Sequence, residues 1–495
     1  MENPKNLRGC NLANNNSVEV VIPSAKRLIN SLRSLGYEFP TAIAELVDNS
    51  IEANATEVSI NVEFDGENSW VMIADNGDGM SSDKLIEAMR YGSDTTYNDK
   101  SLGKFGLGLK TASFSQSKHW IVATKPESPK NEAIAFKWDL AHVNKTDRWE
   151  IIPINEKKLD AKIIKTLQNT TGTVVLWRQL EIVLGYDNPN TARARKKLVN
   201  LCRDLEEHLA MVFHRFLMGE IPGKKLRIFL NNNEIQPWDP YARNEKGTKS
   251  LVAIKIPVEH DGIHGDIVIE PYILPPSKVF SSTQAHSKAA GPKKWNLQQG
   301  FYIYRNDRMI QSGGWCRIRT VDEHTKLARF AMNFTSKIDG AFKIDVSKMY
   351  VQLPPQIRKE VEEKTQSLVM QAREIYDNAE KDAPFIAPLT SYSDPLPYQR
   401  KAVIPVPIYE TAKKSSVPNQ TTAFSTVADS AVVPSGKISR SYFIEEQTAI
   451  SKEKTWTLEE MFNALKKDAT PTEIDILEKL FNRLREQIQK NDVKK

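Results

Sequence analysis

The sequence predicts an α+β protein: an N-terminal α/β sandwich, a second mixed unit, a linker and a helical tail. Three observations carry this reading. Two amphipathic helical stretches feed a run of alternating strands, which suits a sandwich rather than a doubly wound parallel sheet. Strand patterns start afresh after residue 222, and past residue 380 the chain turns rich in Pro, Ser and Thr. Its 495 residues, at roughly 150 per domain, leave room for about three structural units.

Each element has its own signature. Leu28, Leu32 and Leu35 share a helix face that Gly36 ends, and Pro40 opens a second helix over Thr41–Ala53 with Ile43, Leu46, Val47 and Ile51 on one side. Val58, Ile60, Val62 and Phe64 alternate as a strand, with Trp70–Ala74 as its partner. Further strands are expected at Trp120–Thr124, Ala133–Trp138 and Thr173–Trp177, then a long helix from Arg193 to Phe216. In the second unit, strands are expected at Lys225–Leu230, Leu251–Ile256, Gly265–Tyr272 and Gly300–Arg305, and a helix over Pro355–Ala379. The polar, basic stretch 277–299 reads as a long loop or insertion. Eight of the 26 prolines fall between Pro384 and Pro434, as in an extended linker without fixed structure. Thr470-Pro471-Thr472-Glu473 then combines an N-cap, a first-turn proline and a capping-box glutamate ahead of a new helix. The expected organisation is a first domain over 1–221, a second over 222–380, a linker over 381–450 and a helical segment over 451–495.

Composition excludes several classes. Forty per cent hydrophobic and 26% charged residues are globular proportions, against wholesale disorder or a fibre. The net charge of +6, from 68 basic and 62 acidic residues, permits a nucleic-acid partner without arguing for one. Cys10, Cys202 and Cys316 form no CxxC, which excludes a disulfide framework and a cysteine-rich zinc site. No apolar run approaches membrane-spanning length and the first thirty residues are too polar for a signal peptide, so the expectation is a cytoplasmic chain without a membrane partner. His208 and His214 lack the HExxH order of a zinc protease.

Three motifs can carry chemistry. In Glu45-Leu-Val-Asp48-Asn49, Glu45 and Asn49 stack on one helix face, where an amide oxygen can ligate Mg²⁺ and a carboxylate can orient a water; a solvated acidic face is the plainer alternative. Asp75-Asn76-Gly77-Asp78-Gly79-Met80 follows an apolar strand, so Asp75 can accept from an exocyclic amine while the glycines admit a flat base; a simple turn is the alternative. Gly103-Lys104-Phe105-Gly106-Leu107-Gly108-Leu109-Lys110 offers amides to phosphate oxygens at the start of a helix. It is not a P-loop, because Leu109 separates the last glycine from Lys110.

In this order, and with Thr171-Gly172-Thr173 entering a strand, the set resembles the nucleotide site of the GHKL ATPases, the superfamily of DNA gyrase, the heat-shock chaperone, histidine kinases and MutL. The resemblance covers about residues 20–220. SLGKFGLGLKTAS looks most like the lid of the MORC ATPases and their prokaryotic relatives, with Lys110 the distinguishing residue, and ELVDNSIEANA matches both the MORC and MutL branches. It implies a Bergerat-fold domain followed by a transducer-like domain, with ATP and Mg²⁺ as cofactors. Glu45 would be the general base, Asn49 the magnesium ligand and Asp75 the adenine partner. Gly77, Gly79 and Met80 would shape the base pocket, and Thr173 would close its floor. Gly103, Lys104, Phe105, Gly106, Leu107, Gly108, Leu109 and Lys110 would form the lid over the phosphates. Lys348 would reach the γ-phosphate from the transducer, with Lys343 or Arg308 as alternatives.

The implied function is ATP-driven closure of a homodimer acting on DNA or a DNA-processing complex, in a setting such as restriction or phage defence. Toward its C-terminus the chain shows no gyrase-type metal-binding fold signature, no MutL-type DQHA endonuclease motif and no zinc-finger Cys cluster, so a nuclease or helicase is expected to be a separate partner. Basic segments at 191–197 and around Lys278, Lys288, Lys293 and Lys294 are the candidate phosphate-binding surfaces. A chaperone-like or regulatory ATPase that remodels a protein client without DNA is the alternative.

Overall fold

In the computed structural model the described residues are 22–33, 37–92, 101–103, 106–127, 132–185, 188–344 and 351–381. All belong to the first of two compact units, Met1–Pro405; the second is Val406–Lys495. The readings for Lys104, Phe105, Lys348, the linker and the C-terminal helix lie outside the described residues.

Apolar side chains on both faces of its central strands build the first sheet. Its eight strands run in the order Ile152–Pro153, Ile134–Asp139, His119–Lys125, Gly172–Arg178, Trp70–Asp75, Glu57–Glu63, Arg227–Leu230 and Asn233–Glu234. Neighbours are antiparallel except Glu57–Glu63 with Arg227–Leu230, which pair in parallel. Along Trp70–Asp75, Val71 and Ile73 enter one core while Met72 and Ala74 enter another on the opposite face. Gly172–Arg178 divides likewise, with Val175 and Trp177 to one side and Val174 and Leu176 to the other. The larger core holds the helices Ala25–Arg33, Phe39–Glu52, Gly108–Gln116 and Ala192–Val212; Ala161–Leu167 covers the other face through Ile163 and Leu167. This is the predicted sandwich, helices against a mixed sheet. The long helix is broken by Phe213, after which His214–Met218 forms a short helix closed by Gly219 at φ 72°.

Residues Arg227–Leu230, which the sequence assigns to the second unit, lie in the first sheet. The second sheet has the order Ile254–His260, Ile263–Ile273, Ala328–Phe334, Gly300–Arg305 and Arg308–Gln311, with Lys249–Ser250 paired to Ile263–Ile273. Pro355–Lys381 packs on it, with Val361, Val369 and Ala372 in a second core. The stretch 277–299 is not one long loop. Ser282 caps a helix over Thr283–Ala289, its Oγ accepting from the Ala285 amide at 3.0 Å. Phe280, His286 and Trp295 pack their rings together, which fixes the segment despite its polar composition.

Candidate nucleotide-binding site

Phe39–Glu52 is the helix that positions the site. Pro40 stands in its first turn, and Ala42, Ile43, Leu46, Val47 and Ile51 bury its inner face. Glu45 is 4% exposed, and Asn49, one turn on, is exposed. The helix ends at Ala53, whose amide donates to the Asn49 carbonyl at 3.0 Å, and at Asn54, which adopts φ 58°. That end is stitched to the second motif. Asn54 Nδ2 donates to Asp78 Oδ2 at 2.7 Å, the Asp78 amide donates to the Ala53 carbonyl at 2.9 Å, and Asn76 Oδ1 accepts from the Thr56 and Glu57 amides, each at 2.9 Å. A side chain on Gly77 would sit 2.5 Å from the Ala53 carbonyl oxygen, so only glycine lets the turn lie this close.

Asp75 is held from three directions. Its Oδ1 accepts from the Gly77 amide at 3.0 Å and the Thr173 amide at 3.1 Å, and its Oδ2 from Ser50 Oγ at 3.0 Å. Burial raises its carboxyl above the usual carboxylate range, opposed by those three hydrogen bonds and reinforced by Asp78. Thr173 therefore touches the site through its backbone. Its hydroxyl lies 3.1 Å from Thr124 Oγ1, which donates to the Gly172 carbonyl at 3.0 Å and accepts from the Met80 amide at 2.9 Å. Thr124 and Ser50 are site residues that sequence reasoning missed; Ser50 adjoins Asn49 in the motif, but nothing local marks a strand threonine 44 residues beyond Met80. Gly79, at φ 68°, passes so near strand His119–Lys125 that a Cβ would meet the Lys125 carbonyl oxygen at 2.5 Å.

The glycine run meets the same helix. The Gly103 amide donates to Glu52 Oε1 at 2.7 Å. Gly108 opens the helix Gly108–Gln116, and a Cβ there would stand 2.8 Å from Glu45 Oε2. The buried carboxylate of the first motif thus lies against the first turn of the helix that the third motif starts. Leu107 and Leu109 are half-buried, and Lys110 turns inward. Its ammonium donates to the carbonyls of Ala88 and Gly106, and burial brings its pKa down to about 8.

Arg308 reaches this helix too. It forms a buried ion pair with Asp48 at 3.2 Å, and its Nη1 donates to the Met309 carbonyl at 3.1 Å. Lys343 lies in the short strand Lys343–Ile344, paired with Val351–Gln352. The structure therefore sets Gly77, Gly103 and Gly108 against the helix that carries Glu45 and Asn49, and ties Asp75 to it through Ser50 and to Thr173, while Gly79 and Met80 lie against the strand His119–Lys125. The donor set fits a magnesium ion in kind: one exposed amide oxygen suits an ion that keeps phosphate and water ligands.

Residues 37–173 match the family model described as histidine kinase-, DNA gyrase B-, and HSP90-like ATPase. The chain is 30% identical over 87 residues to ATPase morc-1 of Caenorhabditis elegans, which is 18% of this chain and 10% of that protein. It is 34% identical over 92 residues to ATPase MORC2B of Mus musculus, 18% of this chain and 9% of that protein. The aligned segment thus spans about a tenth of each relative. No helix among the described residues is long and apolar enough to cross a membrane. Sandwich and family match agree: residues 37–173 form a domain similar to the GHKL ATPases, and the chain carries a segment similar to MORC ATPases.

Proposed function

We propose that the chain binds ATP with Mg²⁺ and hydrolyses it to ADP and phosphate, using nucleotide-driven dimer closure to act on DNA or a DNA-processing complex. The observation that carries the reading is the Glu45 carboxylate, buried and set against Gly108 at the mouth of the glycine-run helix. Phosphate oxygens bound by the amides of Gly106 and Gly108 would bring the γ-phosphorus within reach of a water that Glu45 orients and deprotonates, with Gly103 anchoring the run through Glu52. Asn49 would supply the protein's ligand to magnesium, which would supply positive charge to the phosphate. Asp75, fixed by three donors, keeps lone pairs for an exocyclic amine and gives the site its preference for adenine. Lys348 remains the proposed γ-phosphate contact. The basic 191–197 helix start supports a DNA client, because clustered Lys and Arg are the footprint of phosphate recognition.

One variant tests the scheme. Glu45→Gln keeps the shape and removes the base, so turnover should fall by about 10²–10⁴-fold while nucleotide still binds. ATP itself should then hold the variant as a dimer in sedimentation. Undiminished turnover would remove Glu45 as the base, and an unchanged monomer at saturating ATP would remove the closure step. If no duplex at low salt binds or alters wild-type turnover, the client is a protein.

A further inference from the structure

The hairpin Gly300–Arg305/Arg308–Gln311 of the second sheet has an unusual tip. Asn306 and Asp307 both take left-handed conformations, φ 48° and 67°, as in a two-residue type I′ turn. That turn places Arg305 directly opposite Arg308. Like charges facing each other across a ladder work against a hairpin. Here each guanidinium is buried, 4% and 3% exposed, with its own carboxylate: Asp339 for Arg305 and Asp48 for Arg308. The pairing of two arginines therefore calls for a reason beyond the hairpin itself.

Arg305 supplies it. Its Nε donates to both Asp339 oxygens at 2.8 and 2.9 Å, which leaves Nη1 aimed away from that carboxylate. Nη1 donates to the carbonyls of Ser101 and Leu102, each at 2.9 Å, and Asn306 Nδ2 adds a second bond to Ser101 at 2.9 Å. Residues Ser101–Gly103 lead into the glycine run, and Gly103 is itself bonded to Glu52. Three bodies are thus joined in pairs. The nucleotide helix holds the hairpin through Asp48, the hairpin holds Ser101–Leu102 through Arg305 and Asn306, and Gly103 returns to the helix through Glu52.

We propose that Arg305, assisted by Asn306, is a positioning residue for nucleotide binding: it fixes Ser101–Gly103 against the Phe39–Glu52 helix and so sets where the glycine amides stand. This rests on the proposed function. Amides that hold phosphate before and during the reaction contribute uniform binding, so their misplacement raises KM and leaves kcat nearly unchanged.

The test uses the full chain with Arg305→Ala, Arg305→Lys and Asn306→Gly; the glycine keeps the left-handed turn while removing the amide. Arg305→Ala should raise KM for ATP by about tenfold, with kcat within about twofold. Asn306→Gly should show a smaller rise, and Arg305→Lys should recover part of the loss. Hydrogen exchange of the Gly103 amide should quicken in Arg305→Ala and Asn306→Gly, while the strand Ile254–His260 stays protected. Unchanged KM and unchanged Gly103 exchange in Asn306→Gly and Arg305→Ala, with only a lower Tm, would overturn the proposal. If the wild-type chain binds no ATP, the proposed function fails. The clamp is then judged on Gly103 exchange alone: faster exchange upholds it and unchanged exchange overturns it.

Discussion

Lys110 is a lysine surrounded by protein, 2% exposed, with its ammonium on two backbone carbonyls. Loss of water lowers its pKa from 10.5 to about 8, and the Glu87 carboxylate pulls the other way. Below pH 8 folded and unfolded chains both carry the proton, and the cost of burying it is felt in full. Between pH 8 and 10.5 the unfolded chain keeps the proton that the folded chain has shed, so stability should rise with pH. Compared with Lys110→Met, wild type should gain up to roughly 3 kcal/mol across that window, measured as urea midpoints. A flat difference between the two proteins would mean that the ammonium is not buried. The sequence could mark Lys110 but not its direction. A lysine after glycines reads as a phosphate ligand, yet helical spacing puts residue i+4 over the carbonyl of residue i, here Gly106. Asp75 stands where the pattern puts it, at the end of the apolar strand Trp70–Asp75.

At the level of elements, the helix Phe39–Glu52 is tied to the second sheet by Asp48–Arg308, a pair separated by 260 residues. Both groups have been taken from water, so removing one leaves the other charge buried. Asp48→Leu and Arg308→Met singly should each cost about 3–5 kcal/mol, and the double variant should cost clearly less than their sum. Strict additivity in denaturant midpoints would show that the two groups do not act as a pair. Local pattern revealed the helix, since Ile43, Leu46, Val47 and Ile51 repeat at three and four, and it revealed most central strands. It did not reveal Arg308–Gln311 or Ala328–Phe334. These strands are buried on almost every residue, so they show no alternation to read. Nor could it place Asp48 opposite Arg308, because a single acid inside ELVDNS carries no mark of a partner so far along the chain.

For the whole molecule, the first sheet closes through a parallel pair whose strands stand 170 residues apart, Glu57 beside Arg227. A chain ended at residue 221, the boundary that the texture of the sequence suggests, would lack Leu226, Ile228 and Leu230 from the larger core. It would also leave the Glu57–Glu63 strand as an open edge, a template for association with other chains. Chains ended at 221 should therefore aggregate or unfold at lower denaturant than chains ended at 235, as light scattering and urea midpoints would report; equal behaviour would show that the strand adds nothing.

The same separation acts during synthesis. A ribosome adds about 5–20 residues per second, so the strand at 57–63 waits on the order of ten seconds or more for its neighbour to be made. For that time the nascent chain carries an unpaired, apolar sheet edge outside the exit tunnel, where a holding chaperone or slower translation would matter most. The first sheet is thus completed only once Arg227–Glu234 has emerged, long after the strand that it pairs with was made.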